Sequence, residues 1–193
     1  MKPKLCFATN NRHKLEEVAS LLNGSLDLVS LHEVGFNGEL AEDFFTLEEN
    51  SKQKAAFVYN TFKVPCFADD SGLEVQALNG APGVHSAHYA GPHRSSADNT
   101  ALLLQRMVGI ENRTARFRTV ITLMDDGLVK QFEGTVHGQI LNSPLGTAGF
   151  GYDPVFLPDG FELSLAEMTL IQKNKISHRA MAMLRLVEYL KAR

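Results

Sequence analysis

Three patterns mark the chain as an α/β protein built on a mixed sheet. Short apolar runs alternate with helix-period segments as far as residue 68. Strand-period runs then gather between residues 114 and 141. An Asp126-Gly127 pair joins two of those runs as a hairpin turn would. Strands first separated by helices and then grouped imply parallel pairing followed by antiparallel pairing in one sheet. The 193 residues suit one domain, or one domain of two lobes.

Leu5-Cys6-Phe7-Ala8 reads as a buried strand, and Thr9-Asn10-Asn11-Arg12 as the polar turn after it. From His13 to Leu22 the residues Leu15, Val18, Ala19 and Leu22 recur at helical spacing, with Asn23-Gly24 as the stop. Leu26–Leu31 gives a second strand. Thr46-Leu47-Glu48-Glu49 has the form of a capping box, opening a helix that runs to about Phe62. Val64–Ala68 is a third strand, and Asp69-Asp70-Ser71-Gly72 reads as the loop at its end. Leu73–Leu78 alternates as a further strand, with Asn79-Gly80 and Pro82-Gly83 as turns. Ser95–Val108 is a helix stopped by Gly109. Thr114–Met124, Leu128–Glu133 and Val136–Leu141 form a small β-rich lobe. Tyr152–Phe156 reads as a strand start and Ser164-x-x-Glu167 as a second capping box. The last helix runs from about Ser177 to Lys191, with Ala180, Leu184, Val187 and Leu190 toward the core.

Composition is ordinary for a globular chain, with 44% apolar and 21% charged residues. A net charge of −3 argues against a nucleic-acid binder held by global charge. Cys6 and Cys66 both lie in apolar runs and lack metal-ligand spacing, as expected of buried free thiols in a reducing compartment. The apolar run after Met1 is too short for a signal peptide, and no run reaches membrane-spanning length. The expectation is a soluble cytoplasmic protein with no membrane or nucleic-acid partner.

Two constellations could carry chemistry. Glu42, Asp69, Asp70 and Asp153 are hard oxygen donors of the kind that suit Mg²⁺ beside phosphates. Arg12, Lys14, Lys173, His178 and Arg179 sit at loops or helix starts, where cations meet anions. Lys14 falls in a first helical turn, unfavourable for a cation unless an anion binds nearby, although a plain surface lysine fits equally. Phe150 lies between Gly149 and Gly151 and reads either as a stacking surface for a flat ring or as a buried hairpin residue. The Asp69-Asp70 stretch by itself is equally a polar turn. His85, His88 and His93 offer a rival zinc site, but without supporting Cys or His-x-x-x-His spacing. Ser71 lacks a nucleophile elbow and reads better as a phosphate contact.

Taken in order, Ala8–Lys14, Glu42–Lys54, Ala68–Leu73, Gly80–Gly83 with Ser86–Tyr89, Gly149–Pro154, and Lys173 with Ser177–Arg179 resemble the inosine triphosphate pyrophosphatase family. The resemblance covers nearly the whole chain. It implies Mg²⁺-dependent hydrolysis of ITP, dITP and XTP to monophosphate and pyrophosphate. It also implies one domain over 1–193, an elongated mixed sheet flanked by helices, two lobes with the active-site cleft between them, and a homodimer. By position it implies Asp70 as general base and metal ligand, and Glu42 as second metal ligand. Thr9, Asn10, Asn11, Arg12, His13 and Lys14 match the triphosphate loop, and Ser71 a substrate contact. Phe150, Gly151, Tyr152, Asp153, Lys173, His178 and Arg179 match the nucleotide and base contacts. His178 or Arg179 donors would select a 6-oxo purine. Departures are Asn10 for Gly, with a left-handed Asn expected to keep the turn, Phe44 for Gly, and His88 for Arg. Alternatives are a pyrophosphatase for pyrimidine or other modified nucleotides, and a non-catalytic nucleotide-binding module.

Overall fold

The computed structural model describes residues 4–22 and 26–193. The helix stop expected at Asn23-Gly24 lies outside them. In chain order the elements are β1 (Lys4–Phe7), α1 (Arg12–Leu22), β2 (Asp27–Val29), α2 (Leu47–Phe62), β3 (Cys66–Val75), α3 (Ser96–Arg106), β4 (Thr114–Asp125), β5 (Leu128–Ile140), β6 (Phe156–Pro158), α4 (Leu170–Lys173) and α5 (His178–Lys191). The six strands form one sheet in the order β2-β1-β3-β4-β5-β6. β1 runs parallel to β2 and β3, and β6 antiparallel to β5, so the sheet is mixed. The chain divides into two compact units: Met1–Asp70 with Thr119–Gly134 and Arg179–Arg193, and Ser71–Arg118 with Thr135–His178.

The first unit shows how a period of two sorts side chains. On β1, Leu5 and Phe7 face a core that includes Val18 and Leu22 of α1 and Met183 and Leu186 of α5. Cys6 and Ala8 face the opposite core, with Ala55 and Val58 of α2. β3 repeats the division: Phe67 joins the first core, and Cys66 and Ala68 the second. Phe7 and Phe67 stack with ring centroids 4.6 Å apart, locking the parallel register Phe7↔Phe67. α2 is capped as expected, Thr46 Oγ1 accepting from the Glu49 amide at 3.1 Å. It ends at Lys63, whose φ of 54° is left-handed.

The second unit packs Leu73, Val75, Leu103, Met107, Phe117, Ile140, Val155, Phe156 and Leu165 into one core. Gly72 is required there, because a Cβ would strike the Gly83 carbonyl.

Several expectations change. Asp69 and Asp70 lie within β3, not in a loop after it, because the strand continues to Val75. Two carboxylates fit mid-strand because cations meet them on both faces, as described below. Leu73–Leu78 is therefore the end of β3 and a 3-10 turn over Gln76–Leu78. The Leu128–Glu133 and Val136–Leu141 runs are one strand; Gly134 sits inside the ladder and does not break it. The turn between β4 and β5 is at Asp126 (φ 45°) and Gly127 (φ 76°), as expected of an Asp-Gly hairpin. Asp153–Val155 is a 3-10 turn, with strand beginning at Phe156. Ser164 and Glu167 close a turn, whereas Thr169 with Gln172 forms the capping box and opens α4. On α5, Leu184 is 59% exposed, and the buried stripe is Arg179, Ala182, Met183 and Leu186 at i, i+3, i+4 and i+7. Asn10 does not adopt a left-handed φ; its Nδ2 donates to the Gly38 carbonyl at 2.7 Å.

Candidate active site

The alternation along β3 sends its two aspartates to different helices. Asp69 follows Phe67 onto the face of α1 and α5. There Lys14 Nζ lies 3.0 Å from both carboxylate oxygens. Arg179 Nε donates to Asp69 Oδ2 at 3.2 Å, and its Nη1 pairs with Glu17 of α1. All four residues are buried or nearly so. Burial alone would raise the Asp69 pKa, but the Lys14, Arg179 and Lys54 charges overturn this and hold it well below the usual carboxylate range. Lys14 is pushed down by burial and by the neighbouring Lys54 and Arg179 cations, against the pull of Asp69 and Asp70.

Asp70 follows Ala68 onto the α2 face. Lys54 Nζ stands 3.6 Å from Asp70 Oδ1 and forms an ion pair with Glu42. Burial raises the Asp70 pKa, helped by the Glu42 and Asp69 charges, and Lys54 and Lys14 oppose this incompletely. Adjacent carboxylates therefore shift in opposite directions. Lys54 is raised: its burial is outweighed by Asp70 and Glu42.

The loop before α1 is organised by its own polar groups. Thr9 is buried and its Oγ1 accepts from the Asn11 amide at 3.2 Å. Asn11 Oδ1 accepts from the Lys14 amide at 3.2 Å, as an N-cap does. The first turn of α1 carries no acid. Arg12 is not part of the buried group: its side chain is 89% exposed and pairs with Glu16 at 3.1 Å. His13 and Asn10 are exposed.

In the second unit, Lys173 Nζ lies 2.6 Å from Asp153 Oδ2, both side chains buried. The same oxygen accepts from the Phe150 amide at 2.9 Å, and Lys173 Nζ stands 5.0 Å from the Phe150 ring centroid. Gly149 has φ 74°, and a Cβ there would collide with the Asp153 carboxylate. Tyr152 is buried and donates to the Ser86 carbonyl at 3.0 Å; burial pushes its phenol up. The Gly151 carbonyl accepts from Thr100 Oγ1 at 3.4 Å. His178 is buried and stacks on Phe117, centroids 4.7 Å apart and planes 8° from parallel. Ser71 follows Asp70 on β3 and is half-buried.

Two charged residues of this arrangement lie outside the sequence expectation. Lys54 falls on the buried stripe Leu47, Asn50, Ser51, Lys54, Ala55, Val58, and Glu17 beside Val18 on α1. A charge in line with the inward-facing residues of its helix is the signal that could have found them, since such residues are rarely buried unpaired. The guanidinium of Arg179, expected as a nucleotide or base contact, is engaged by Asp69 and Glu17.

Among the described residues, no group of three or more His, Cys, Asp or Glu side chains is gathered to hold a metal. Glu42 and Asp70 form a two-carboxylate, all-oxygen set around Lys54. That fits Mg²⁺, which typically takes one or two carboxylates and completes its shell with water and phosphate oxygens. It does not fit a zinc cage.

No described helix is long and apolar enough to cross a membrane. The Ham1 family model matches residues 5–189. A dITP/XTP pyrophosphatase of Christiangramia forsetii is 48% identical over 187 residues, covering 97% of this chain and 98% of that one. The structure of the Staphylococcus aureus Ham1 protein superposes with a TM-score of 0.89 at 34% identity, covering 98% of each chain. A Ham1 protein structure from Coxiella burnetii gives a TM-score of 0.91 at 32% identity, covering 99% of this chain and 100% of that one. With the match running almost end to end, the chain belongs to the Ham1 family.

Proposed function

We propose that this chain hydrolyses deaminated purine nucleoside triphosphates, dITP, ITP and XTP, to the monophosphate and pyrophosphate, with Mg²⁺ as cofactor. The observation that carries the reading is the division of the two adjacent aspartates between separate sets of partners on the two faces of β3. Asp69 is locked as an anion by Lys14 and Arg179, while Asp70 is raised beside Glu42 and Lys54. A binding module has no need of a buried carboxylate set apart from the locked ion pairs beside it; a general base has.

In this proposal Glu42 and Asp70 hold the metal, which when bound supplies charge neutralisation at the phosphates. Asp70 orients a water and takes its proton. The water oxygen bonds to the α-phosphorus, the bridge from that phosphorus to the β-phosphate breaks, and pyrophosphate leaves. Lys14 and Lys54 stabilise charge on the triphosphate. Thr9, Asn10, Asn11, Arg12 and His13 offer backbone and side-chain donors, and Ser71 a further hydroxyl. When ionised, Glu17, Glu42, Asp69 and Asp70 outnumber Lys14, Lys54 and Arg179 by one charge. A divalent ion reverses that sign and favours an anionic substrate.

For the base we assign Phe150 to ring stacking and Lys173 and His178 to donors toward a 6-oxo purine. Adenine would leave such donors unpaired, at about 1–3 kcal/mol. Gly151, Tyr152 and Asp153 shape that loop. To Arg179 we give a supporting role, fixing Asp69 against α1. A homodimer belongs to the same proposal, and two buried thiols support a reducing, cytoplasmic setting.

The test is an initial-rate panel with Mg²⁺, read as pyrophosphate. ITP, dITP and XTP should turn over far faster than ATP or the pyrimidine triphosphates, and chelation should stop the reaction. Equal rates for all would remove the base assignment. Fast turnover of a pyrimidine triphosphate would favour the other pyrophosphatase reading.

A further inference from the structure

His85 and His88 lie on the 3-10 helix Gly83–His88, outside the residues assigned above. In a 3-10 helix positions i and i+3 eclipse, so the two imidazoles share a face. Nδ1 of His85 lies 3.2 Å from Nε2 of His88, with the ring planes 69° apart. The two nitrogens are within hydrogen-bond distance of each other; His85 is exposed and His88 half-buried.

The turn beneath them is firmly held. Ser86 Oγ donates to the Gly83 carbonyl at 2.6 Å and accepts from the Leu73 amide at 2.9 Å. The Ser86 carbonyl accepts from Tyr152, and Asn99 Nδ2 donates to the Ala87 carbonyl at 3.0 Å. Asn99 Oδ1 accepts from the Ala90 amide at 2.7 Å. The backbone carrying both rings is therefore fixed before any ligand arrives.

A tetrahedral metal with nitrogen ligands at about 2.0–2.1 Å holds two of them about 3.3–3.4 Å apart. The observed spacing is within a few tenths of an ångström of that. We propose that His85 and His88 form a two-imidazole site for a late first-row divalent cation such as Zn²⁺, its remaining positions filled by water. Without a cation one ring donates to the other across this gap; a cation takes the place of that shared proton, each ring then carrying its proton on the outer nitrogen and turning an inner lone pair to the metal. Imidazole suits these metals and not Mg²⁺, so the site differs in chemistry from the Glu42–Asp70 pair and does not depend on the proposed hydrolysis.

The experiment is calorimetric titration of the untagged full chain with ZnCl₂ in a non-coordinating buffer containing excess Mg²⁺, which occupies the carboxylate set. The same titration is run on His85→Gln and His88→Gln, with circular dichroism to verify the fold. Zn²⁺ should bind at one per chain, and each substitution should weaken it about 100-fold by removing the second arm of the chelate. No Zn²⁺ binding in excess Mg²⁺, or unchanged affinity in both variants, overturns the proposal.

Discussion

Asp69 and Asp70 are neighbours in sequence and face opposite sides of β3: Asp69 meets Lys14 and Arg179, and Asp70 meets Lys54 and Glu42. The separation follows from strand geometry, since consecutive side chains alternate. It turns an acid pair that would repel into two carboxylates with separate partners.

The two aspartates should respond differently to the same substitution. Asp70→Asn should abolish pyrophosphate release with little change in the urea midpoint. Asp69→Asn strands the buried charge of Lys14, leaves Arg179 with Glu17 alone, and should cost about 3 kcal/mol of unfolding free energy. Because its folded pKa is depressed, the Asp69 contribution is present above the ordinary carboxylate value near ~3.9 and fades as pH falls below it. Urea titrations at a series of acid pH values should show that loss in the wild type and not in Asp69→Asn.

Lys54 holds Glu42 and Asp70 together against their repulsion. Lys54→Met should lower kcat by about 100-fold or more, as loss of a charge aimed at the transition state does. Lys54→Arg should recover part of it. Comparable rates for Met and wild type would remove Lys54 from the site.

Phe117 supports His178 by stacking. Phe117→Leu should lower stability by about 1 kcal/mol and narrow the ITP-to-ATP rate ratio, since a loosened ring discriminates less well. The ratio is the informative quantity, because general destabilisation would leave it unchanged.

The thiols should be inert in the folded chain. Burial pushes Cys6 up to about 11 and Cys66 up to about 12. A raised folded pKa contributes stability that is complete below the ordinary thiol value and lost as pH rises through 11 to 12. Labelling with a disulfide reagent should stay negligible from pH 7 to 9 and reveal two thiols per chain on denaturation.

Much of this was legible in local sequence. Thr46 as N-cap and Asp126-Gly127 as hairpin turn are short-range chemistry, and each stands where its neighbours imply. Leu5–Ala8 and Val64–Ala68 announce buried strands by composition alone. What local pattern missed is long-range compensation. Asp69 and Asp70 look like turn residues because the cations that pair with Asp69 are distant in sequence; Lys14 is 55 residues away and Arg179 is 110. Lys54 and Glu17 were passed over because a charge on a helix is normally solvated, and their partners lie on other elements. Leu184 reads as core and Arg179 as a ligand contact for the same reason: the stripe on α5 is set by an ion pair, which hydropathy does not register.

In the proposed reaction the bond that breaks joins the α- and β-phosphates. ITP incubated with the protein and Mg²⁺, and followed by phosphorus NMR, should yield IMP and pyrophosphate resonances in step, with no early orthophosphate. Appearance of IDP with orthophosphate would place the attack at the terminal phosphate and contradict the account.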